Sequence, residues 1–477
     1  MKTLVQILFK TLSFFLSILW DGLLILADAL GGRRGFNARF GYEHSIASRF
    51  NFGFLVTRNG RLSRRQSFEN LLVCGGTGSG KTSKILIPNL LQLKNCSLLI
   101  NDPSKELYLK CSGYLSKYFD IRVLNFSDTA SSGYNILSRV RSNTDVQKLA
   151  DLLTKSTVDR GNNDPFWGIK TKEVLSVLIR LSLYQPKKYR NMANVLDLLN
   201  HLISSPETID RLVVRTRDKK LLIDYKSIIA ASDKVLQSIL SNTKAGLQVF
   251  DDEMTAKVTA FDSIDFESLR ARPTIIFLHN SIADQAYYST LNAIVFQQFY
   301  SFILTELPRR SDLDIFIILE EASSLYVPVL PLALDNCRKY RVGTIIAIQA
   351  PEQLKTLYKN DAENIVNNCI TKLYMPGLTA MDTLRELETF SGKTFYKDPK
   401  GVERIRPLLT IEDARMLNKN RSLIVHSNLP IIKGRTRAYF RSLRYKAYCS
   451  LPTMQLINRI PSRPVPLITE QLQTIPA

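Results

Sequence analysis

Short apolar runs recur along this chain at the spacing of buried β-strands. Each run is four to six residues long, and helix-compatible stretches separate most of them. Strands of a parallel sheet are apolar at consecutive positions because helices cover both faces of the sheet. The pattern therefore predicts an α/β fold, with strands at residues 71–74, 97–101, 121–125, 274–278, 315–319, 343–348, 372–375 and 423–426.

The apolar runs stop between residues 140 and 263. Segments 145–153, 170–183 and 192–203 instead carry apolar residues three and four positions apart, which is the period of a helix. We therefore predict an all-α domain inserted into the α/β domain. The five prolines after Leu451 favour an extended C-terminal tail. The predicted parts of the chain are residues 31–139, 140–263, 264–450 and 451–477.

Residues 1–30 are the most apolar part of the sequence. The longest uncharged internal stretch, residues 11–20, is ten residues long, which is half of what a simple transmembrane helix needs. We predict a membrane-associated N-terminal helix that lies in the bilayer interface or crosses it obliquely. A helix docked on the protein's own core is the alternative. On a helix the polar residues form one narrow stripe of Gln6, Lys10, Ser13, Ser17, Asp21 and Asp28.

The chain is strongly basic. It has 64 Lys and Arg residues against 43 Asp and Glu residues, a formal net charge of +21. This excess favours polyanionic partners, either nucleic acid or the acidic cytoplasmic face of a membrane. The six cysteines and four histidines are too scattered for a zinc site, so we expect reduced thiols and no structural transition metal. A basic group follows the apolar N-terminal segment at Arg33, Arg34, Arg39 and Arg49.

One glycine-rich stretch joins a predicted strand to a helix-compatible segment. Residues 75–82 fit G-x-x-x-x-G-K-[ST], the motif of a phosphate-binding loop, or P-loop. In such a loop, backbone N–H groups and the following helix dipole face phosphate oxygens. We predict that ATP and Mg²⁺ bind here, with Lys81 at the β- and γ-phosphates and Thr82 on Mg²⁺. The remaining nucleotide-binding residues are Gly75, Gly76, Thr77, Gly78, Ser79 and Gly80.

The predicted strand at 315–319 ends in two carboxylates, Glu320 and Glu321. A P-loop ATPase needs one acid that orders Mg²⁺ and another that orients or deprotonates the attacking water. We assign Glu320 to the metal and Glu321 to the catalytic base. Gln349 follows the strand at 343–348, and strands of such a sheet present their carboxyl ends to the ligand crevice. We therefore predict that Gln349 senses the γ-phosphate, with helix capping as its alternative role.

Several blocks of sequence together resemble a known family. In their order and spacing they resemble the coupling-protein ATPases of type IV secretion and conjugation systems, the TraG/TraD-like family, over about residues 41–440. The blocks are GGTGSGKT at 75–82, IPNLL at 87–91, NDPSKEL at 101–107, IILEEASSL at 317–325 and CRKYRVGTIIAIQAPEQL at 337–354.

The resemblance implies a RecA-like P-loop NTPase domain with the inserted all-α domain. It also implies a homo-hexamer on the cytoplasmic face of the bacterial inner membrane. Arg338 matches a family arginine that acts on ATP bound by the neighbouring subunit, where a guanidinium stabilises charge on the transferring phosphoryl group. A cation on the surface of a helix, without a catalytic role, is the alternative for Arg338.

This chain departs from the family pattern in three places. Ser104 and Lys105 stand where the family commonly has Lys-Gly. Glu320 replaces the usual Asp, which places the rate of hydrolysis in question. The family usually carries two N-terminal membrane helices, whereas the sequence before the P-loop has room for one.

The sequence thus predicts an ATP-driven coupling protein that recruits relaxase-bound single-stranded DNA to a type IV secretion channel and its inner-membrane components. The positive charge would line a pore that follows phosphates without distinguishing bases. One alternative changes the cargo to secreted effector proteins. Two others are a nucleotide-binding scaffold that hardly hydrolyses ATP and a soluble DNA translocase of the FtsK/HerA type.

Overall fold

The computed structural model describes residues 37–158, 165–280 and 282–468. The eight predicted strands are all confirmed, with bounds that differ from the prediction by two residues at most. The structure adds three strands that were not predicted, here β8, β9 and β11. The strands are β1 (Leu71–Cys74), β2 (Cys96–Asn101), β3 (Asp120–Leu124), β4 (Thr274–Leu278), β5 (Asp314–Leu319), β6 (Val342–Ile348), β7 (Thr371–Tyr374), β8 (Lys393–Lys397), β9 (Glu403–Pro407), β10 (Arg421–His426) and β11 (Ile432–Arg435).

Nine of these strands form one sheet, in the order β11-β10-β7-β1-β6-β5-β2-β4-β3. The seven strands from β7 to β3 are parallel, whereas β10 is antiparallel to β7 and β11 is antiparallel to β10. Cys74 on β1 is opposite Ile348 on β6, and Asn101 on β2 is opposite Leu319 on β5. The parallel strands therefore end together at one edge, which we call the carboxyl edge.

The described residues between β3 and β4 contain helices and no strand, as the three-and-four spacing predicts. The helices of the whole described chain are α1 (Arg64–Ser67), α2 (Ile87–Gln92), α3 (Glu106–Leu115), α4 (Asn143–Val158), α5 (Pro165–Leu183), α6 (Met192–Ser204), α7 (Pro206–Arg215), α8 (Lys219–Ile229), α9 (Asp233–Leu247), α10 (Glu253–Ala260), α11 (Ser268–Ala271), α12 (Gln285–Ile303), α13 (Leu330–Asn336), α14 (Glu352–Tyr358), α15 (Asp361–Asn367), α16 (Met381–Ser391), α17 (Ile411–Arg415) and α18 (Leu443–Cys449).

Two hydrophobic cores cover the two faces of the sheet. Alternate residues of β1 belong to different cores: Leu72 and Cys74 pack with the helices of the all-α region, while Leu71 and Val73 pack with α2 and α3. All four side chains are fully buried. Burial of one such aliphatic side chain stabilises the fold by about 1.5–3 kcal/mol relative to exposure. The continuous apolar runs in the sequence follow from this burial on both faces.

The C-terminal tail joins the two parts of the molecule. Residues 451–467 form neither helix nor strand. The tail contacts α3 where the Met454 N–H donates to Ser112 Oγ at 3.1 Å, and it contacts α6 where the Ile468 N–H donates to Asn194 Oδ1 at 2.8 Å. Ile460 and Ile468 are buried in the same core as the all-α helices.

The predicted N-terminal helix, residues 1–30, lies outside the described residues. Across residues 37–158, 165–280 and 282–468, none of the helices combines the length and the hydropathy that a membrane crossing requires.

Candidate nucleotide-binding site

The P-loop leaves the carboxyl end of β1 and turns into a helix within a few residues. The loop is fixed to the sheet by the Gly75 N–H, which donates to the Ile348 carbonyl at 3.2 Å. Gly80 has φ +89°, a left-handed conformation that favours glycine. Gly76 packs so closely that a Cβ there would lie 2.2 Å from the Gly377 carbonyl oxygen. The helix opens with a π-helical turn, Thr82–Leu86, before α2.

The side chain of Lys81 lies along the inside of this loop. Its Nζ donates to the Gly75 carbonyl at 2.6 Å. Burial lowers the pKa of Lys81, and the Glu321 and Glu320 carboxylates oppose that shift. The ammonium group is therefore held between the loop and the acidic end of β5, where it can meet phosphate oxygens.

Glu320 connects the acidic strand end to the P-loop directly. Thr82 Oγ1 donates to Glu320 Oε1 at 2.7 Å. The Glu320 backbone is fixed to β2, because Asn101 Nδ2 donates to its carbonyl at 2.9 Å and its N–H donates to the Asn101 carbonyl at 3.2 Å. Lys81, Thr82 and Glu320 are thus brought to the same place by β1, β5 and the P-loop.

A further buried acid, Asp102, stands beside Glu320. Its carboxylate accepts hydrogen bonds from the N–H groups of Leu107 and Tyr108, at 3.2 and 2.8 Å, in the first turn of α3. Burial raises the pKa of Asp102 to about 6, although these N–H donors oppose the shift. Burial, followed by the charges of Asp102 and Glu106, raises the pKa of Glu320 to about 8. Two neighbouring buried carboxyl groups favour a cation between them, because a cation offsets the cost of their negative charge.

The site has two buried oxygens that fit a metal-bound triphosphate. Glu320 Oε2 is buried and accepts no hydrogen bond, and Ser79 Oγ is buried without a partner. A Cβ at Gly78 would meet open space, so the outer side of the loop is accessible. Carboxylate and hydroxyl oxygens are the ligands that Mg²⁺ takes in proteins. Thr82 and Glu320 could hold that ion, while Lys81 and the loop N–H groups could hold phosphates.

Glu321 and Gln349 lie at the same edge of the sheet. Glu321 has φ +50°, a left-handed conformation that is uncommon for a residue with a side chain. This conformation ends β5 and starts the turn Ala322–Ser324. Gln349 directly follows β6, next to β1, and its N–H donates to Gln353 Oε1 at 3.0 Å. Both are placed where the sequence predicts.

Arg338 is not brought to this site within one chain. It lies in a short 3₁₀ helix, Cys337–Tyr340, that precedes β6 and so stands at the opposite, amino edge of the sheet. Its Nη1 pairs with Glu69 Oε1 at 3.0 Å, and about half of the Arg338 side chain is exposed. A second chain is therefore the one way in which Arg338 could approach a nucleotide at a P-loop.

Three residues of the site were not predicted. Asp102 could have been predicted, because two polar residues, Asn101 and Asp102, follow the apolar residues of β2. No sequence pattern marks Lys84 or Gly377. Lys84 Nζ donates to the Ser79 and Lys419 carbonyls at 2.6 and 2.7 Å, which fixes the outer side of the P-loop. Lys105 has φ +61°, a left-handed conformation that favours glycine, so the departure from the family's Lys-Gly places a lysine where the backbone favours a residue without a side chain.

Comparison with known proteins assigns the chain to a family. The model of the family described as "Type IV secretory system Conjugative DNA transfer" matches residues 43–461. The chain belongs to this family. Among curated relatives, Protein VirD4 of Agrobacterium fabrum (strain C58 / ATCC 33970) is 23% identical over 415 residues, which are 80% of this chain and 60% of VirD4. The chain thus spans about 60% of the length of that relative.

Solved structures of other proteins, TrwB and VirB4, share the fold of this chain. The bacterial conjugative coupling protein TrwB, in complex with sulphate, superposes with a TM-score of 0.64 at 18% identity, covering 91% of this chain and 99% of that one. TrwB with ADP and Mg²⁺ gives a TM-score of 0.64 at 18% identity, over 90% and 98%. VirB4 of Thermoanaerobacter pseudethanolicus is more distant, with a TM-score of 0.52 at 14% identity, over 84% and 100%. The predicted RecA-like fold is confirmed by the TrwB likeness.

Proposed function

We propose that this protein is an ATP-driven coupling protein that recruits relaxase-bound single-stranded DNA to a type IV secretion channel and energises its transfer. The observation that carries the proposal is the hydrogen bond from Thr82 to Glu320, because it joins the P-loop to the acidic strand in a member of this family. Its partners would be the inner-membrane components of the secretion system, at the cytoplasmic face of the bacterial inner membrane.

ATP and Mg²⁺ are the proposed cofactors. TrwB structures hold ADP with Mg²⁺, and others hold non-hydrolysable ATP and GTP analogues. In this chain Thr82 and Glu320 would hold Mg²⁺, which supplies charge neutralisation at the phosphates when bound. Lys81 and the N–H groups of residues 75–80 would orient the phosphates. Glu321 would orient or deprotonate the attacking water, and Gln349 would contact the γ-phosphate region.

The working form would be a homo-hexamer. Arg338 at the amino edge is remote from the P-loop of its own chain, so the site becomes complete only when a neighbour supplies this arginine. Within the ring, the net charge of +21 would favour single-stranded DNA as cargo.

The test is ATP hydrolysis by the full chain with and without single-stranded DNA. We expect DNA to raise the turnover rate and Lys81→Ala to remove both the basal and the stimulated activity. Lys226→Ala, at a lysine on the surface of α8, is the matched control. A turnover rate that single-stranded DNA leaves unchanged would exclude the DNA motor, and recovery of effector proteins without a relaxase from membrane complexes would favour the effector receptor.

Glu320 gives specific support to a second candidate, the nucleotide-binding scaffold. The longer side chain already bonds Thr82, and its raised pKa favours the protonated form, which is a poorer magnesium ligand. Single-turnover hydrolysis separates the candidates. A motor hydrolyses bound ATP rapidly in the wild type and slowly in Glu321→Gln, whereas equal and negligible rates in both would identify a scaffold.

A further inference from the structure

A small hairpin stands apart from the nine-stranded sheet, and ten of its fifteen residues, 393–407, are exposed. In this hairpin β8 pairs with β9 in antiparallel register, with Phe395 opposite Ile405. Every residue of β9 from Glu403 to Arg406 is exposed. An isolated two-stranded hairpin is marginally stable in water and usually needs a covering surface. The described residues leave most of this hairpin without such a cover.

The exposed surface of the hairpin combines aliphatic and basic side chains. Val402 at the turn is 54% exposed, Ile405 is 48% exposed, and Phe390 at the end of α16 is 57% exposed. Exposed apolar residues this close together indicate an interaction site. Residues 393–407 carry five cations, all on exposed residues, against two acids; the cations are Lys393, Lys397, Lys400, Arg404 and Arg406.

The acids of the hairpin do not cancel this positive surface. The Asp398 side chain is largely buried and forms an ion pair with Arg404 at 2.9 Å. It also accepts hydrogen bonds from the N–H groups of Lys400 and Val402 within the turn. Its role is to shape the turn that carries Val402 and Lys400 outward. Arg406 stands 5.0 Å from the Tyr396 ring centroid. The second acid, Glu403, is exposed, so the hairpin as a whole keeps a net charge of +3 from its five cations and two acids.

The chain reaches this hairpin directly from its apolar N-terminal segment. Asn37 forms an antiparallel bridge with Thr394, and the Ala38 N–H donates to the Lys393 carbonyl at 3.0 Å. The chain between Leu30 and Asn37 spans at most about 25 Å when fully extended. If the membrane-associated segment ends at Leu30, the hairpin therefore lies within this distance of the membrane.

We propose that the β8–β9 hairpin docks on the anionic phospholipid surface of the membrane, with Val402 and Ile405 in the interface and the surrounding lysines at lipid headgroups. The inference rests on the proposed function only in placing residues 1–30 at the membrane. Mixed aliphatic and basic side chains suit an anionic bilayer surface. A single-stranded nucleic-acid surface would instead present several exposed aromatic rings for stacking, whereas Phe395 and Tyr396 of the hairpin are half-buried and the exposed ring of Phe390 lies beside it on α16.

The test places a fluorescent probe on the hairpin of the full chain reconstituted into vesicles. The probe is an environment-sensitive fluorophore on Val402→Cys in a Cys449→Ser background, because the other five cysteines are buried. The matched control carries it at Val214→Cys on α7, a position that is 62% exposed. Vesicles contain phosphatidylglycerol and phosphatidylcholine, with spin-labelled lipids as quenchers.

We expect lipid quenching at position 402 and none at position 214. Lys397→Gln with Lys400→Gln should lower the ratio of docked to undocked hairpin by about fivefold for each lysine, whereas Lys219→Gln with Lys220→Gln on α8 should not change it. Equal quenching at positions 402 and 214 would overturn the inference. A probe at 402 that responds to a single-stranded oligonucleotide and not to vesicles would also overturn it, in favour of nucleic acid.

The same vesicles separate this inference from the proposed function. DNA-stimulated ATP hydrolysis is measured in parallel with the quenching. If hydrolysis responds to DNA while the probe at 402 is not quenched, lipid docking alone is wrong. If the probe is quenched while hydrolysis ignores DNA, docking stands and the DNA motor is lost.

Discussion

The carboxyl and amino edges of the parallel sheet carry different parts of the proposed site. At the carboxyl edge, one chain joins Thr82 to Glu320 by a hydrogen bond from loop to strand end, and Lys81 bonds the Gly75 carbonyl within the loop. At the amino edge, Arg338 is half exposed and pairs with Glu69. The seven residues of β6 separate the edges by about 20 Å. In the proposed function, one chain would bind phosphate and metal, while the arginine would serve a neighbouring chain.

Removal of the amino-edge arginine should have the largest effect on catalysis. For Arg338→Ala we expect ATP turnover to fall on the order of 10³-fold, as for other arginines supplied to a neighbour's phosphates. Nucleotide affinity should change little, because the carboxyl edge is intact. Arg338→Lys should not restore the rate, since lysine lacks the planar fork.

Mixing variants tests whether that arginine acts between chains. Lys81→Ala and Arg338→Ala chains are each inactive, but a mixed ring would contain intact sites at about a quarter of its interfaces. Turnover that reappears on mixing supports action between chains. A mixture as inactive as its components would place Arg338 outside catalysis.

At the carboxyl edge itself, Lys81→Ala should lower turnover by roughly 10²–10³-fold through loss of one preorganised charge. Unlike Arg338→Ala, it should also weaken nucleotide binding, which equilibrium titration with a fluorescent ATP analogue would measure. Thermal unfolding serves as the control, because Lys81 bonds only the Gly75 carbonyl in the described contacts. Unchanged nucleotide affinity would show that Lys81 does not bind the phosphates.

Gly76→Ala tests how rigidly the P-loop is packed at the carboxyl edge. The new Cβ would lie 2.2 Å from the Gly377 carbonyl oxygen, so the P-loop or the loop after β7 must move. We expect a loss of about 1–3 kcal/mol in the free energy of unfolding, with weaker nucleotide binding. Chemical denaturation checks the stability. A stability equal to that of the wild type would show that this contact is not rigid.

The smallest effect belongs to Glu69→Gln at the amino edge. It frees Arg338 from a partly exposed ion pair, which contributes about 0–1 kcal/mol. Turnover of the assembled protein should therefore remain within a fewfold of the wild type. A loss as large as that of Arg338→Ala would mean that Glu69 positions the arginine for its neighbour.

A strand is easiest to predict from the sequence where one physical constraint, such as burial on both faces, determines which residues it contains. Eight strands of the sheet were predictable because burial on both faces makes most of their positions apolar, as in β1 and in β5 after Asp314. The hairpin was not, because most residues of β8 (KTFYK) and β9 (ERIRP) are polar or charged, and neither strand has an apolar run. The short strand β11 was missed because Lys433 and Gly434 interrupt it.

Within the site, motif spacing predicted the loop and the acids, but not their partners. The Thr82–Glu320 contact depends on β1 and β5 ending at the same edge, which parallel topology implies. The packing of Gly377 against Gly76 and the hold of Lys84 on the loop depend on how distant loops meet. No local pattern encodes such meetings. Asp102 can be found in the sequence after β2, but its role depends on its position beside Glu320, which no local pattern encodes.

The central claim is that the P-loop and the acidic end of β5 hold one metal ion, and a double-mutant cycle tests it directly. Mn²⁺ affinity in the presence of a non-hydrolysable ATP analogue is measured by electron paramagnetic resonance for the wild type, Thr82→Val, Glu320→Gln and the double variant. We predict that each single change weakens binding and that the double variant is little worse than either, with a coupling of about 0.5–3 kcal/mol. Strictly additive losses, or full Mn²⁺ affinity in Glu320→Gln, would contradict the account.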